Sequence, residues 1–122
     1  MMDKNIKILV ADDSAFMRKV LMHILENAGF TQFLECGNGD ECYTAMLNEK
    51  PDLVLLDVIM PEVTGIDLLK KFGGALNSNV IVVSAVGQES MVNDAKKMGA
   101  KGYIIKPFDQ TKVIDEIERV LN

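Results

Sequence analysis

The chain has 122 residues, of which 48% are hydrophobic and 25% are charged, with a formal net charge of -5. This length suits one domain with a buried core, the composition excludes a disordered chain, and the acidic balance argues against binding to nucleic acid. The apolar runs are too short to cross a bilayer and no signal-peptide core is present, so we expect a cytoplasmic protein without membrane insertion.

Short β-rich runs alternate five times with segments of helical period, which is typical of βα units and a parallel sheet. The first strand is predicted at about 6–11, followed by a helix that Ser14 caps and Gly29 ends. The apolar positions of this helix are Phe16, Met17, Val20, Leu21, Ile24 and Leu25. A second strand is predicted at 33–36, and the helix after it stops near Lys50-Pro51.

The same alternation continues through the second half of the chain. The third strand is predicted at 53–57, residues 61–65 form a loop, and a third helix covers about 67–72. The fourth strand, at 80–84, precedes a helix that Gly99 closes. That helix has Met91, Val92, Ala95 and Met98 on its apolar face, and a last strand at 102–105 precedes a helix with Val113, Ile114, Ile117, Val120 and Leu121.

Right-handed crossovers between five parallel strands build a doubly wound sheet with helices on both faces. Periodicity does not fix the strand order. The flavodoxin-like order 2-1-3-4-5 would place the topological switch point between the first and third strands. We therefore predict an α/β, flavodoxin-like fold with a five-stranded parallel sheet and five helices.

Four of the predicted strands lead into side chains that suit phosphate chemistry. Asp12 and Asp13 follow the first strand, Asp57 ends the third, Ser84 ends the fourth and Lys106 follows the fifth. The carboxyl ends of parallel strands lie along one edge of the sheet, where open α/β sheets bind their ligands. Three carboxylates, a hydroxyl and an ammonium group suit a divalent cation together with a phosphoryl group.

The two cysteines, Cys36 and Cys42, have no further cysteine and no nearby histidine in the sequence. Zinc sites and disulfide frameworks need larger sets of such residues, so neither is indicated. We expect two reduced thiols packed in the interior.

The segments around the strand ends resemble the receiver domain of two-component response regulators. These segments are Val10-Ala11-Asp12-Asp13-Ser14, Leu55 to Gly65, Ser84-Ala85 and Lys106-Pro107-Phe108. The likeness spans nearly the whole chain, so residues 1–122 are interpreted as one receiver domain. Within this family, the stretches 12–18 and 84–88 are most similar to the stand-alone chemotaxis regulators.

The resemblance implies a phosphoacceptor and a metal site. Asp57 would attack phosphorus and hold the phosphoryl group as a mixed anhydride. Asp12, Asp13 and Asp57, with the backbone carbonyl of Ile59, would bind Mg²⁺ or Mn²⁺ through hard oxygen ligands. The protein would then promote phosphotransfer and dephosphorylation on its own aspartate rather than act as an enzyme on a separate substrate.

The resemblance also implies a switch. Lys106 would pair with Asp57 and then with the phosphoryl oxygens, and its bond to Pro107 would be cis. Ser84 would donate a hydrogen bond to the phosphoryl group, and Tyr103 would change rotamer to fill the vacated space. Two charge-assisted contacts supply about 3 to 6 kcal/mol, against about 5.5 kcal/mol for moving an equilibrium from 1:99 to 99:1.

For such a regulator we expect a monomer that receives its phosphoryl group from a chemotaxis-type (CheA-like) histidine kinase. The expected output partner is the flagellar motor switch, bound through the fourth helix, fifth strand and fifth helix, and a phosphatase is a further candidate partner. Two alternatives stay open: a phosphorelay intermediate, or the receiver of a larger transcriptional or methylesterase regulator.

Three rival functions share parts of this pattern. An FMN carrier needs a first loop that cradles phosphate, which Asp12 and Asp13 would repel without a metal. A phosphatase with an aspartate nucleophile typically carries a second carboxylate two residues later, where this chain has Ile59. An interaction module that is never phosphorylated has no need of Asp57, Ser84 and Lys106 together.

Overall fold

The computed structural model describes residues 3–57, 65–72, 78–85 and 89–121. Strands and helices alternate through this part of the chain. They are β1 (Lys7–Ala11), α1 (Ala15–Asn27), β2 (Gln32–Cys36), α2 (Gly39–Glu49), β3 (Leu53–Asp57), α3 (Gly65–Phe72), β4 (Asn79–Ser84), α4 (Glu89–Lys97), β5 (Gly102–Ile105) and α5 (Gln110–Leu121). The strands pair in parallel in the order β2-β1-β3-β4-β5, which confirms the predicted α/β fold.

Side chains that alternate along the central strands divide between two hydrophobic clusters. Leu9, Val54 and Val82 belong to the cluster that α2, α3 and α4 cover. Ile8 and Leu55 belong to the opposite cluster, which α1 and α5 cover. Because helices lie on both faces, β3 is buried at every position, as expected of a central parallel strand.

The helix ends follow the predicted chemistry. The Ser14 hydroxyl accepts a hydrogen bond from the Met17 amide, and Gly29, with φ of 101°, follows the end of α1. Lys50 adopts the left-handed conformation at the end of α2, with φ of 47°. These residues set where the helices stop and therefore where the chain re-enters the sheet.

Two expectations about individual residues were wrong. Gly65, predicted to lie in a loop, is the first residue of α3. Phe16, predicted on the apolar face of α1, is 75% exposed. At about 100° per residue, Phe16 lies about 140° and 180° around the helix from the buried Leu21 and Leu25, so it faces away from the sheet. Most of the predicted 61–65 loop and the side chain of Met91 lie outside the described residues.

A polar clasp joins α5 to the edge strand β5. The Tyr103 amide donates to Glu116 Oε2 at 2.8 Å, and Arg119 Nε donates to Glu116 Oε1 at 2.7 Å. Arg119 also donates through Nη2 to the Lys101 carbonyl at 3.0 Å. A Cβ atom at Gly102 would stand 2.7 Å from Glu116 Oε2 and 2.9 Å from Val120 Cγ2, so a larger residue there would displace these two side chains.

We expect Glu116→Gln to reduce stability at neutral pH but not in acid. The hydrogen bond from Arg119, supported by the Tyr103 amide, lowers the pKa of Glu116 below its ordinary value of 4.5. The charged form therefore stabilises the fold above pH 4.5, and this contribution is lost as the pH falls through the folded-state pKa. Urea unfolding midpoints of the two proteins should converge as the pH is lowered. Glu118→Gln, on an exposed position of α5, is the control, and a difference that stays constant in acid would contradict the prediction.

Among the described residues, no helix is both long enough and apolar enough to span a membrane.

Candidate functional site

Three carboxylates meet at the carboxyl edge of the sheet. Asp12 and Asp13 follow β1 and Asp57 ends β3, and these two strands are hydrogen-bonded neighbours. One carboxylate oxygen from each residue lies within 4.8 Å of the others. Asp12 and Asp57 are 1% and 6% exposed, whereas Asp13 is open to solvent. The strand order thus brings together the residues that the strand ends predicted.

Lys106 reaches this acidic group from the end of β5. Its Nζ lies 3.2 Å from Asp12 Oδ2 and 3.7 Å from Asp57 Oδ2. The ammonium is therefore shared and lies nearer to Asp12, although the family resemblance implied Asp57 as its partner. The Lys106 amide donates to the Ser84 carbonyl at 2.8 Å, and the bond between Lys106 and Pro107 is cis, as expected.

The charge balance of the group favours a divalent cation. Three carboxylates and one ammonium leave two net negative charges on a largely buried edge when all four groups are ionised. Like charges held close together with little solvent repel one another strongly. Hard carboxylate oxygens are the ligands that Mg²⁺ and Mn²⁺ take in proteins. The residues present therefore fit such an ion, with Asp12, Asp13 and Asp57 as its protein ligands.

Ser84 and Tyr103 lie beside this edge on the last two strands. Ser84 ends β4, is 1% exposed and pairs with Ile105 of β5. Tyr103 is half-buried and packs against the cluster that α2, α3 and α4 cover. The predicted hydrogen bond and rotamer change of these two residues remain predictions. Ile59, expected to offer its carbonyl to the metal, lies outside the described residues.

Arg18 is a site residue for which sequence reasoning predicted no role. Its Nη1 donates to the Asp12 carbonyl at 2.6 Å, and its Nε donates to Glu35 Oε1 at 2.9 Å. The Ser14 amide donates to Asp12 Oδ1 at 2.9 Å. Hydrogen bonds thereby fix both the backbone carbonyl and the carboxylate of Asp12. No periodic pattern marks this role of Arg18, because its partners are Asp12, just after β1, and Glu35 on β2.

We expect Arg18→Ala to lower the free energy of unfolding by about 1 to 2 kcal/mol. The hydrogen bond to the Asp12 carbonyl is lost, while the ion pair with the half-exposed Glu35 is screened by solvent and contributes little. The affinity for Mg²⁺ should fall in the same variant, since Asp12 loses its support. Urea unfolding and calorimetric titration measure the two effects. Lys19→Ala, at the next and exposed position, should change neither. Equal effects of the two substitutions would show that Arg18 does not position Asp12.

Comparison with known proteins gives consistent matches across the chain. Residues 8–118 match the response regulator receiver domain family. The chemotaxis protein CheY of Thermotoga maritima is 41% identical over 93% of this chain and 96% of its own length. CheY of Bacillus subtilis is 41% identical over 95% and 98%. The structure of a CheX-CheY-BeF₃-Mg²⁺ complex from Borrelia burgdorferi matches with a TM-score of 0.90 and 34% identity, covering 96% of this chain and 90% of that chain.

Proposed function

This chain belongs to the receiver family of response regulators and is CheY-like, and from that premise we propose that Asp57 is its phosphoacceptor. The proposed donor is the phosphohistidine of a CheA-like kinase, and the reaction requires Mg²⁺ or Mn²⁺. The observation that carries the proposal is the convergence of Asp12, Asp13, Asp57 and Lys106 at one edge of the sheet. We further propose that the protein acts as a cytoplasmic monomer and that residues 1–122 form one receiver domain.

In the proposed transfer, a carboxylate oxygen of Asp57 forms a bond to phosphorus. The bond between phosphorus and the donor imidazole breaks, its electron pair stays on the imidazole nitrogen, and that nitrogen takes a proton. The bound cation would offset the negative charge of the three carboxylates and of the transferring group. Lys106 starts 3.7 Å from Asp57 and supplies positive charge where the phosphoryl oxygens arrive.

The switch that follows uses Ser84 and Tyr103. Ser84 is buried beside the site and is tied to Lys106 through their backbones. A hydrogen bond from its hydroxyl to the phosphoryl group would draw the end of β4 toward Asp57. Tyr103 lies on the neighbouring strand and is half-buried, so its ring would move inward into the space left behind. Phosphorylation of Asp57 would in this way change the shape of the outer surface of β5.

That outer surface supports an output role. Ile105 is 47% exposed at the end of β5. It lies at a pocket of about 470 Å³ between β5 and α5, which Tyr103, Lys112 and Asp115 also line. An apolar side chain beside a pocket with charges of both signs suits a short amphipathic segment of a partner. We propose the flagellar motor switch as this partner, bound through the surface of α4, β5 and α5. The Borrelia complex supports a CheX-like protein as a further partner. We also propose a phosphatase as a partner.

Binding of a motor-switch peptide tests the output role. BeF₃ with Mg²⁺ should raise the affinity for a labelled peptide at least tenfold, measured by fluorescence anisotropy, because it mimics a phosphoryl group. Ile105→Asp should abolish this gain. Leu47→Asp on α2 is a matched control, because Leu47 is 48% exposed on another surface, and this variant should bind like the wild type.

Failure of the wild type to bind the peptide would contradict the motor-switch role. Onward transfer of the phosphoryl group to a second histidine protein would favour a phosphorelay intermediate instead.

A further inference from the structure

A buried cluster of three sulfur atoms lies between the end of β2 and the middle of α2. Its members are Cys36, Cys42 and Met46, which are 3%, 0% and 5% exposed. We propose that this cluster binds a soft monovalent metal ion, with Cu(I) as the physiological candidate. The proposal is independent of the phosphoacceptor function, since none of these residues belongs to the carboxylate group at the sheet edge.

The spacing of the sulfur atoms suits a trigonal site. Cys42 Sγ lies 3.9 Å from Met46 Sδ, and Cys36 belongs to the same buried cluster and interacts electrostatically with the Cys42 thiol. Three sulfurs placed at about 2.3 Å from a central metal stand about 4.0 Å from one another. The distance between the Cys42 and Met46 sulfur atoms is therefore close to the one that an ion bound to both would require. Cys42 and Met46 are four residues apart on α2, so the helix itself fixes this pair.

The donor set selects the kind of ion. Thiolate and thioether ligands favour Cu(I), whereas Mg²⁺ takes oxygen ligands. A structural zinc site would need a fourth nitrogen or sulfur ligand. Among the described residues, the groupings of three or more histidine, cysteine or carboxylate side chains close enough for a metal comprise Asp12, Asp13 and Asp57 alone. The sulfur cluster is thus a three-ligand site, which Cu(I) accepts.

Binding exchanges protons for the metal. The interaction with Cys36 and burial raise the pKa of the Cys42 thiol far above its ordinary range, so this thiol is neutral without metal. Cu(I) binding by two thiols and one thioether releases two protons to solvent and leaves the oxidation state of the metal unchanged. The affinity should therefore rise with pH.

A path to the cluster is visible from the surface. Cys36 lines an open pocket of about 550 Å³, together with the carboxylates of Glu35, Asp40, Glu41 and Glu49. Three of these carboxylates pair with a lysine or arginine, so the net charge around the pocket is small but negative. Such a pocket attracts cations toward the one sulfur that borders it.

Competition with a coloured chelator tests the site. Under nitrogen, the full chain should remove one equivalent of Cu(I) from bicinchoninate, with a tighter apparent affinity at higher pH. Cys36→Ala and Cys42→Ala should each abolish this transfer. Met46→Leu, which conserves volume, should weaken the affinity at least tenfold while the fold is retained by circular dichroism.

Two matched variants make the result specific. Met22→Leu changes a methionine of the opposite hydrophobic cluster and should bind like the wild type. Asp57→Asn should also bind like the wild type, which separates this site from the acidic one. The proposal is overturned if the wild type takes no Cu(I) from the chelator, or if Met46→Leu and Met22→Leu bind it equally well.

Discussion

We expect the wild-type chain to gain one phosphoryl group with a small phosphodonor and Mg²⁺, and Asp57→Asn to abolish this gain. Asp57 ends β3 and is 6% exposed, beside Asp12, Asp13 and the ammonium of Lys106. An amide has no anionic oxygen with which to attack phosphorus, so the effect should be complete rather than partial. Intact-mass spectrometry measures the uptake directly.

The control is Asp94→Asn, which changes an exposed carboxylate on α4. This variant should take up one phosphoryl group like the wild type. Chelation of the divalent cation should prevent uptake in both proteins. Phosphorylation of Asp57→Asn to the wild-type level would place the acceptor elsewhere.

The second large effect is expected for Lys106→Met, which should change metal binding and phosphotransfer in opposite directions. Removing an ammonium that lies 3.2 Å from Asp12 and 3.7 Å from Asp57 makes the acidic group more negative. The affinity for Mg²⁺ should therefore rise at least tenfold. Phosphotransfer should slow by about 10²-fold, because the positive charge that stabilises the transferring group is gone.

Isothermal titration calorimetry measures the metal affinity, and time-resolved intact mass at saturating Mg²⁺ measures the transfer. Lys112→Met, on an exposed position of α5, should leave both unchanged. A general loss of structure would weaken both properties together. A fall in both metal affinity and transfer rate in a variant that keeps the wild-type circular dichroism spectrum would contradict the proposed role of Lys106.

Local signals in the sequence predicted much of the fold. Leu53 to Asp57 form a strand with the predicted bounds. The prediction was possible because a short apolar run flanked by polar residues is typical of a central parallel strand. Ser14 caps α1 through its hydroxyl, as its position before an apolar helix indicated. Asp12 and Asp57 lie close together because the strand order 2-1-3-4-5 makes β1 and β3 neighbours.

Contacts between distant segments could not be predicted in this way. Arg18 bonds to Glu35 across 17 positions, and Glu116 bonds to the Tyr103 amide across 13, with no periodic pattern to mark either pair. The closer approach of Lys106 to Asp12 than to Asp57 depends on the direction of one flexible side chain. Such details follow from packing and side-chain rotamers, which hydrophobic periodicity does not encode.

Chemical mapping of the phosphorylated residue tests the central claim most directly. Borohydride converts an aspartyl phosphate into homoserine, which tandem mass spectrometry of a proteolytic digest locates. We predict homoserine at position 57 of the phosphorylated wild-type chain and unmodified aspartate at positions 12 and 13. Homoserine at position 12 or 13, or no homoserine in a chain that has gained a phosphoryl group, would contradict the assignment of Asp57 as the acceptor.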